Sequence, residues 1–162
     1  MTACPFRIGH GFDVHRLVPE RKLILCGVQI PCEVGLLGHS DADVALHALM
    51  DALLGAAALG DIGGLFPDSD AAYKGIDSGI LLKLVLEHPG MAEYELGNCD
   101  LTIVAQKPRL APYIGEMRRK IAALFEVDIA RISVKATTTE KLGYTGRGEG
   151  IAAHCVVLIC KK

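Results

Sequence analysis

Apolar positions along the chain follow two periods, three to four residues in some stretches and two in others. Ser40 followed three residues later by Asp43 reads as a capping box, and an alanine- and leucine-rich helix runs from there to about Leu59, where Gly60 is placed to end it. Asp77 caps a second helix in which Ile80, Leu81, Leu84 and Val85 recur at helical spacing before Pro89-Gly90 stops it. Pro112 opens a third, with Ile114, Met117, Ile121 and Leu124 as its buried stripe. Period-two or short apolar runs predict strands at Arg7 to His15, Asp100 to Ala105, Ile132 to Ala136 and Ile151 to Ile159. Leu23 to Ile30 reads as two short strands folding back at Cys26-Gly27, and Gly35 to Gly38 as a loop into the first helix.

Strands separated by amphipathic helices predict an α/β or α+β layered domain, with a mixed β-sheet covered by helices on one face. At 162 residues the chain has the length of one domain, taken as residues 1–162. A hydrophobic content of 51% is high for a monomer and points to buried subunit contacts. The net charge of −2 and an aromatic content of 5% give no case for nucleic acid or an anionic membrane. None of the six cysteines stands in a Cys-x-x-Cys pair, and Cys26, Cys99 and Cys155 sit among apolar residues as small hydrophobes. This suits a reducing compartment: the bacterial cytoplasm, or the plastid stroma once a leader has been removed.

Candidate chemistry interrupts the apolar pattern at three places. On the first helix Asp43, His47 and Asp51 fall within one ~80° stripe. Such residues are costly on a buried helix unless something charged pairs with them, and a divalent metal is the usual reason. On the first strand Asp13 and His15 point one way, Phe12 and Val14 the other. Asp13, His15 and His47 together make a two-nitrogen, one-oxygen ligand set with a position left open. Either cluster alone reads equally well as satisfied core histidines and a helix cap. The carboxylate-bearing loop Asp61 to Asp70 is a lid or a binding loop for a hydroxylated ligand, or a solvated turn. Thr137-Thr138-Thr139-Glu140, at a strand end, can hold phosphate oxygens through hydroxyls and backbone N–H groups, with Arg109 and Arg147 as charged partners. No Walker A or strand-linked Gly-x-Gly-x-x-Gly pattern is present, so the arrangement points to metal-bridged phosphoryl chemistry outside the standard nucleotide folds.

Five motifs standing in order closely resemble the 2-C-methyl-D-erythritol 2,4-cyclodiphosphate synthases of the non-mevalonate isoprenoid pathway. They are the runs 9–15, 38–41, 61–63, 66–68 and 135–150, and the likeness extends over nearly the whole chain from Arg7. The resemblance implies conversion of 4-diphosphocytidyl-2-C-methyl-D-erythritol 2-phosphate to the cyclic diphosphate with release of CMP. The substrate's own 2-phosphate attacks the β-phosphorus, so the protein mainly folds the substrate and neutralises charge.

Carried over position by position, the resemblance implies zinc ligands at Asp13, His15 and His47, with Val14 in the same substrate-facing run. His39 and Thr138 match transition-state stabilisers, and Ser40 a residue near the methylerythritol phosphate. Asp61, Ile62 and Gly63, then Phe66, Pro67, Asp68, Ser69 and Asp70, match the loop that contacts the erythritol. Ala105, Gln106, Lys107, Pro108, Arg109, Leu110 and Ala111 match the cytidine pocket. Thr137, Thr138, Thr139 and Glu140 match the phosphate grip, with Glu140 the contact for a bridging magnesium or manganese ion. Tyr144 and Arg147 match further ligand-side positions. The family is a homotrimer with active sites between subunits and sheets packed around the trimer axis. Phe12, Arg147 and Glu149 match positions lining an axial cavity that takes isoprenoid diphosphates in some members. The chain departs from the pattern at Met1 to Phe6, Glu87 to Glu95, Lys107 and Arg109. Ala42 stands where glycine is familiar, and at a helix start it should be tolerated. Two other readings fit the ligand set: a metal-dependent phosphohydrolase and a non-catalytic isoprenoid-diphosphate-binding trimer.

Overall fold

The computed structural model describes residues 4–67 and 69–162, so the Asp68 assignment lies outside the described residues. Strand β1 (Phe6–Pro19) is the longest element of a five-stranded sheet. It is followed by β2 (Leu23–Leu25) and β3 (Val28–Ile30), a separate two-stranded hairpin, and by β4 (Val34–Leu36). Later come β5 (Tyr94–Val104), β6 (Ile132–Thr137) and β7 (Gly150–Lys161). The sheet order is β4-β1-β7-β5-β6, antiparallel throughout except for the parallel β5–β6 pair, so the sheet is mixed.

The helices lie on one face. Helix α1 (Val44–Ala57) packs on β1 and β7, α3 (Ser78–Leu86) on α1, and α4 (Ile114–Phe125) on β6. Two single turns, α2 (Ile62–Leu65) and α5 (Gly143–Gly146), shape loops. The contact between α1 and β1 is unusually close because it is made by glycines. A Cβ built on Gly11 would stand 1.9 Å from the Ala48 carbonyl oxygen, and one on Gly9 1.8 Å from that of Ala52. One continuous apolar core fills the space between sheet and helices. The opposite sheet face is bare and partly apolar, with Ile8, Phe12, Val14 and Val156 exposed.

Several elements differ from the sequence reading. The cap of α1 is Asp43, not Ser40: its carboxylate accepts from the Ala45 and Leu46 N–H groups at 3.2 and 3.1 Å. The same carboxylate accepts from Cys26 and Gly27 at 2.9 and 2.6 Å, so it also holds the β2–β3 turn, whose central residues both have positive φ (54° and 71°). Complete burial pushes the Asp43 carboxyl up to about 6, with the Asp41 charge adding to it and the N–H donors opposing. Helix α1 ends at Ala57, and Ala58 takes the left-handed cap position ahead of Gly60. Val34–Leu36, overlapping the start of the expected 35–38 loop, forms an edge strand on the last residues of β1.

In α3 the buried residues are Ser78, Gly79, Leu81, Leu82 and Val85, while Ile80 and Leu84 are exposed. The segment is apolar on nearly every side, so periodicity alone could not choose its inner face. Pro112 sits in a 3-10 turn, α4 begins two residues later, and Ile114 and Leu124 are only partly buried. Strands β1, β5 and β7 are longer than read, because their outer ends pair with one another. Ala42 is accommodated, but at φ 60°, a backbone conformation that favours glycine.

Candidate active site

The β1 alternation turns Asp13 and His15 toward α1, and the first turn of α1 brings His47 down onto them. Asp13 Oδ2 lies 3.0 Å from both His15 Nε2 and His47 Nδ1, and the two ring nitrogens lie 3.0 Å apart. Donor atoms set tetrahedrally around an ion bound at ~2.0–2.2 Å stand ~3.3–3.6 Å apart, so the three residues would take such an ion by opening a few tenths of an ångström. They are the group of three or more candidate ligands that converges among the described residues. Burial opposes ionisation of Asp13, but hydrogen bonds and charge from His15 and His47 outweigh it and hold the carboxyl well below the usual carboxylate range. His15 is raised despite its burial, by its hydrogen bond to Asp13 and by that residue's charge.

The far ring nitrogens are also engaged. His15 Nδ1–H donates to the Leu37 carbonyl at 2.8 Å, so Nε2 is the nitrogen turned toward Asp13 and the one that would face a metal. His47 Nε2 lies 3.1 Å from the hydroxyls of both Ser40 and Ser78. The other two acidic residues near the helix stripe have different duties. Asp43 serves the cap and turn, and Asp51 accepts the Ile62 N–H at 2.8 Å, tying α1 to the α2 loop. Burial raises the Asp51 carboxyl.

A cavity of about 410 Å³ opens over the three ligands. His39, Ser40, Ile62, Gly63 and Phe66 line it as anticipated, and Leu37, Gly38, Tyr73 and Leu81 join them. The His39 ring donates to the Asp70 carbonyl at 3.1 Å. The Asp61 carboxylate is turned onto the Gly64 N–H at 2.9 Å as the cap of α2. Pro67, Ser69 and Asp70 are exposed and do not line this cavity. The Val14 side chain points to the bare sheet face, so only its backbone stands beside the ligands.

A second cavity, of about 730 Å³, lies at the ends of β5 and β6. Ala105 through Ala111 border it together with Thr137 and Thr138, and Cys32, Ile114 and Ala136 complete the wall. The Gln106 side-chain carbonyl accepts the Lys141 N–H at 3.2 Å, linking this wall to the threonine loop. Thr138 Oγ1 donates to Glu140 at 2.7 Å, and Thr139 Oγ1 donates to the Leu142 carbonyl at 2.5 Å. Glu140 and Lys141 both have positive φ (52° and 66°), a bend that turns the loop back on itself. Glu140 is exposed and stands outside the Asp13 group. Tyr144 and Arg147 border neither cavity: Tyr144 lines a separate recess with Leu142, and Arg147 pairs with Glu149 at 2.6 Å.

The two cavities share no lining residue. Register places His15, Ile151, Val104 and Thr137 at the same end of the sheet, so both cavities open there. Two to three strand spacings separate β1 from β5 and β6, roughly 10–14 Å.

The class these features define is an α+β protein with a mixed sheet, a converged Asp–His–His set that could hold a metal, and a largely apolar pocket edged by Thr137 and Thr138 at the same end. Residues 6–160 match the YgbB family, and the chain belongs to it. It is 63% identical over 155 residues to the 2-C-methyl-D-erythritol 2,4-cyclodiphosphate synthase of Syntrophotalea carbinolica, covering 96% of this chain and 94% of that one. It is 65% identical to the synthase of the same name from Moorella thermoacetica, covering 94% of each. A solved structure of 2C-methyl-D-erythritol-2,4-cyclodiphosphate synthase in a CDP-bound form superposes with a TM-score of 0.86 at 38% identity, over 94% of this chain and 99% of that one. Among the described residues no helix is long and apolar enough to cross a membrane.

Proposed function

We propose that this chain converts 4-diphosphocytidyl-2-C-methyl-D-erythritol 2-phosphate into 2-C-methyl-D-erythritol 2,4-cyclodiphosphate and CMP. The observation that carries the reading is the convergence of Asp13, His15 and His47 at 3.0 Å separations in a chain 63% identical to a synthase of that activity. One bond forms, from a 2-phosphate oxygen to the β-phosphorus, and one breaks, from the β-phosphorus to the oxygen that leaves with CMP. No water is consumed and no protein nucleophile is required, so binding and charge neutralisation do the catalytic work.

Each half-site has its part. Asp13, His15 and His47 would hold zinc, which would supply Lewis-acid polarisation of a phosphate, and Glu140 would be the protein contact for magnesium or manganese. His39 sits over the first cavity as a donor to the reacting phosphates, and Thr138 as its counterpart on the second. The Asp61–Gly63 turn offers backbone and carboxylate to the erythritol hydroxyls. Backbone groups of Ala105 to Ala111 read the cytosine edge, and the N–H groups of Thr137 to Glu140 hold the phosphates.

The separation of the two cavities supports a site completed by a neighbouring copy, the metal side from one subunit and the cytidine side from the next. The bare sheet face, with Phe12 and Val156, supports a homotrimer closed around an axis. The substrate is a soluble small molecule, and nucleic acid and membrane have no part in the reading. The free cysteines suit a reducing cytoplasm. The test is phosphorus NMR of the protein with substrate, zinc and magnesium. Cyclic diphosphate appearing in step with CMP is the expected result. Hydrolysed, uncyclised phosphate, or unchanged substrate at full metal loading, would overturn the reading.

A further inference from the structure

His47 can serve as a ligand through Nδ1 only in a form that keeps its proton on Nε2, and because Asp13 Oδ2, 3.0 Å from Nδ1, draws a proton the other way, the acceptors around Nε2 have to hold one there. Ser78 is wholly buried at the first turn of α3, with its hydroxyl 3.1 Å from His47 Nε2. A serine hydroxyl has a single proton to give. Ser78 gives it to Asp41 Oδ1, and its backbone N–H donates to Asp41 Oδ2 at 3.1 Å. With its proton committed, the Ser78 oxygen can only accept from His47. The Ser40 oxygen, at 3.1 Å from the same nitrogen, already accepts the Ala42 N–H, and giving its own proton to the Ser78 oxygen at 3.5 Å leaves it a second acceptor toward His47. Asp41 is itself held, through its Asp43 N–H contact at 3.2 Å and its own N–H to the Ile76 carbonyl at 3.0 Å.

We propose that Asp41 and Ser78 are positioning residues: they hold an acceptor against His47 Nε2, so that the ring keeps a proton there and Nδ1 is the nitrogen that can be given up to the metal. The chain Asp41–Ser78–His47 is a carboxylate–histidine relay with a hydroxyl inserted, and it joins α3 to the ligand-bearing α1. This inference rests on the proposed metal site, but it is read on the ring itself and on metal affinity, not on turnover.

Two variants test it. Ser78→Ala removes the acceptor. Asp41→Asn keeps the shape and leaves Ser78 in place, but whichever way its amide turns, an NH₂ group meets the N–H of Ser78 or of Asp43. The first measurement is long-range nitrogen–proton NMR of the His47 ring in metal-free protein. The parent should keep a proton on Nε2, with or without a second one on Nδ1 beside Asp13, and both variants should show a share of rings protonated on Nδ1 alone. The second is zinc affinity by chelator competition, which should fall roughly 10- to 100-fold in each variant, as for other residues that orient metal ligands. The double variant should be no weaker than the worse single one, because the relay acts as a unit. Zinc affinity within two-fold of the parent in Asp41→Asn, with His47 still in the Nε2–H form, would overturn the proposal. So would a metal-free parent whose His47 ring is protonated on Nδ1 and not on Nε2. A parent that shows the Nε2–H ring but no turnover leaves the relay standing and removes the proposed reaction instead.

Discussion

Replacing Gly11 with alanine adds one methyl group at the point where the two ligand-bearing elements touch. Its Cβ would lie 1.9 Å from the Ala48 carbonyl oxygen and 2.7 Å from the Ala52 nitrogen, both backbone atoms of α1. Ordinary carbon–oxygen contact is about 3.2 Å or more, so helix and strand must separate by roughly 1.3 Å. No rotamer change relieves this, because neither atom belongs to a side chain. Overpacking costs about 1–3 kcal/mol, and a backbone-to-backbone clash belongs at the upper end. At roughly 2–4 °C per kcal/mol for a domain of this size, the metal-free protein should melt about 6–12 °C lower. The same displacement carries His47 away from Asp13 and His15, whose separations are now 3.0 Å, while metal bonds tolerate about 0.2 Å. Zinc affinity should therefore fall at least ~10-fold, more than loss of stability alone would cause. Gly55→Ala, on the same helix with nothing within 4 Å of the added Cβ, is the control and should stabilise by about 0.5–1 kcal/mol. Thermal melts and chelator competition on both variants decide it. A Gly11→Ala protein that melts within about 2 °C of the parent and binds zinc equally well would refute the close-packing argument.

Three further outcomes follow from particular contacts. His47→Ala removes one of three metal donors and should abolish zinc uptake and cyclisation while circular dichroism and the oligomeric state stay unchanged; normal turnover would sink the ligand assignment. Ala42→Gly should raise stability by up to about 1 kcal/mol, because glycine occupies the φ 60° conformation without strain, and urea melts showing a loss instead would refute it. For Asp43, the folded carboxyl is raised from an ordinary 3.8 to about 6, so the folded state binds the proton more tightly than the unfolded chain. Its favourable contribution is complete below 3.8 and is lost as pH rises through about 6. In metal-free protein the parent should lose roughly 1–3 kcal/mol relative to Asp43→Asn between about pH 4 and 7, and a pH-independent difference would disprove the shift.

How far the site could be read in advance depended on whether a residue works through local spacing or through distant partners. Asp13 and His15 were legible because strand alternation alone puts them on one face, and His47 because a histidine on an apolar helix calls for a partner. Asp43 was misread, since its duty is set by the Cys26-Gly27 turn, 16 and 17 residues upstream. A capping box and a lone cap look alike until that turn is seen. Leu37 acts through its carbonyl oxygen, for which residue identity carries no signal. Ser78 stood in plain view after the Asp77 cap, but a hydroxyl at a helix start reads as part of the cap. Strand β4 was missed because three residues at a sheet edge, one of them glycine, lack a period to detect. The family motifs recovered the pocket wall around Ala105 to Ala111, where backbone groups do the lining and composition is nearly silent.

Strand β1 ties the metal site to the bare face through a single register. Its inner positions are Gly9, Gly11, Asp13 and His15; its outer positions are Ile8, His10, Phe12 and Val14. Because the side-chain period is two, a slip of one residue against β7 would exchange the sets, placing the ligands outward and Phe12 against the Ala48 carbonyl. The glycines forbid this, since α1 approaches too closely for any side chain at those two positions. Eleven consecutive partners, from Phe6↔Cys160 to Arg16↔Gly150, then carry that register along both strands. Under the proposed trimer, the same glycines that seat His47 on Asp13 also dictate which apolar residues face a neighbouring copy. Metal binding and assembly would then be lost together in a Gly9→Ala, Gly11→Ala double variant. In His47→Ala, which leaves the register untouched, they would part.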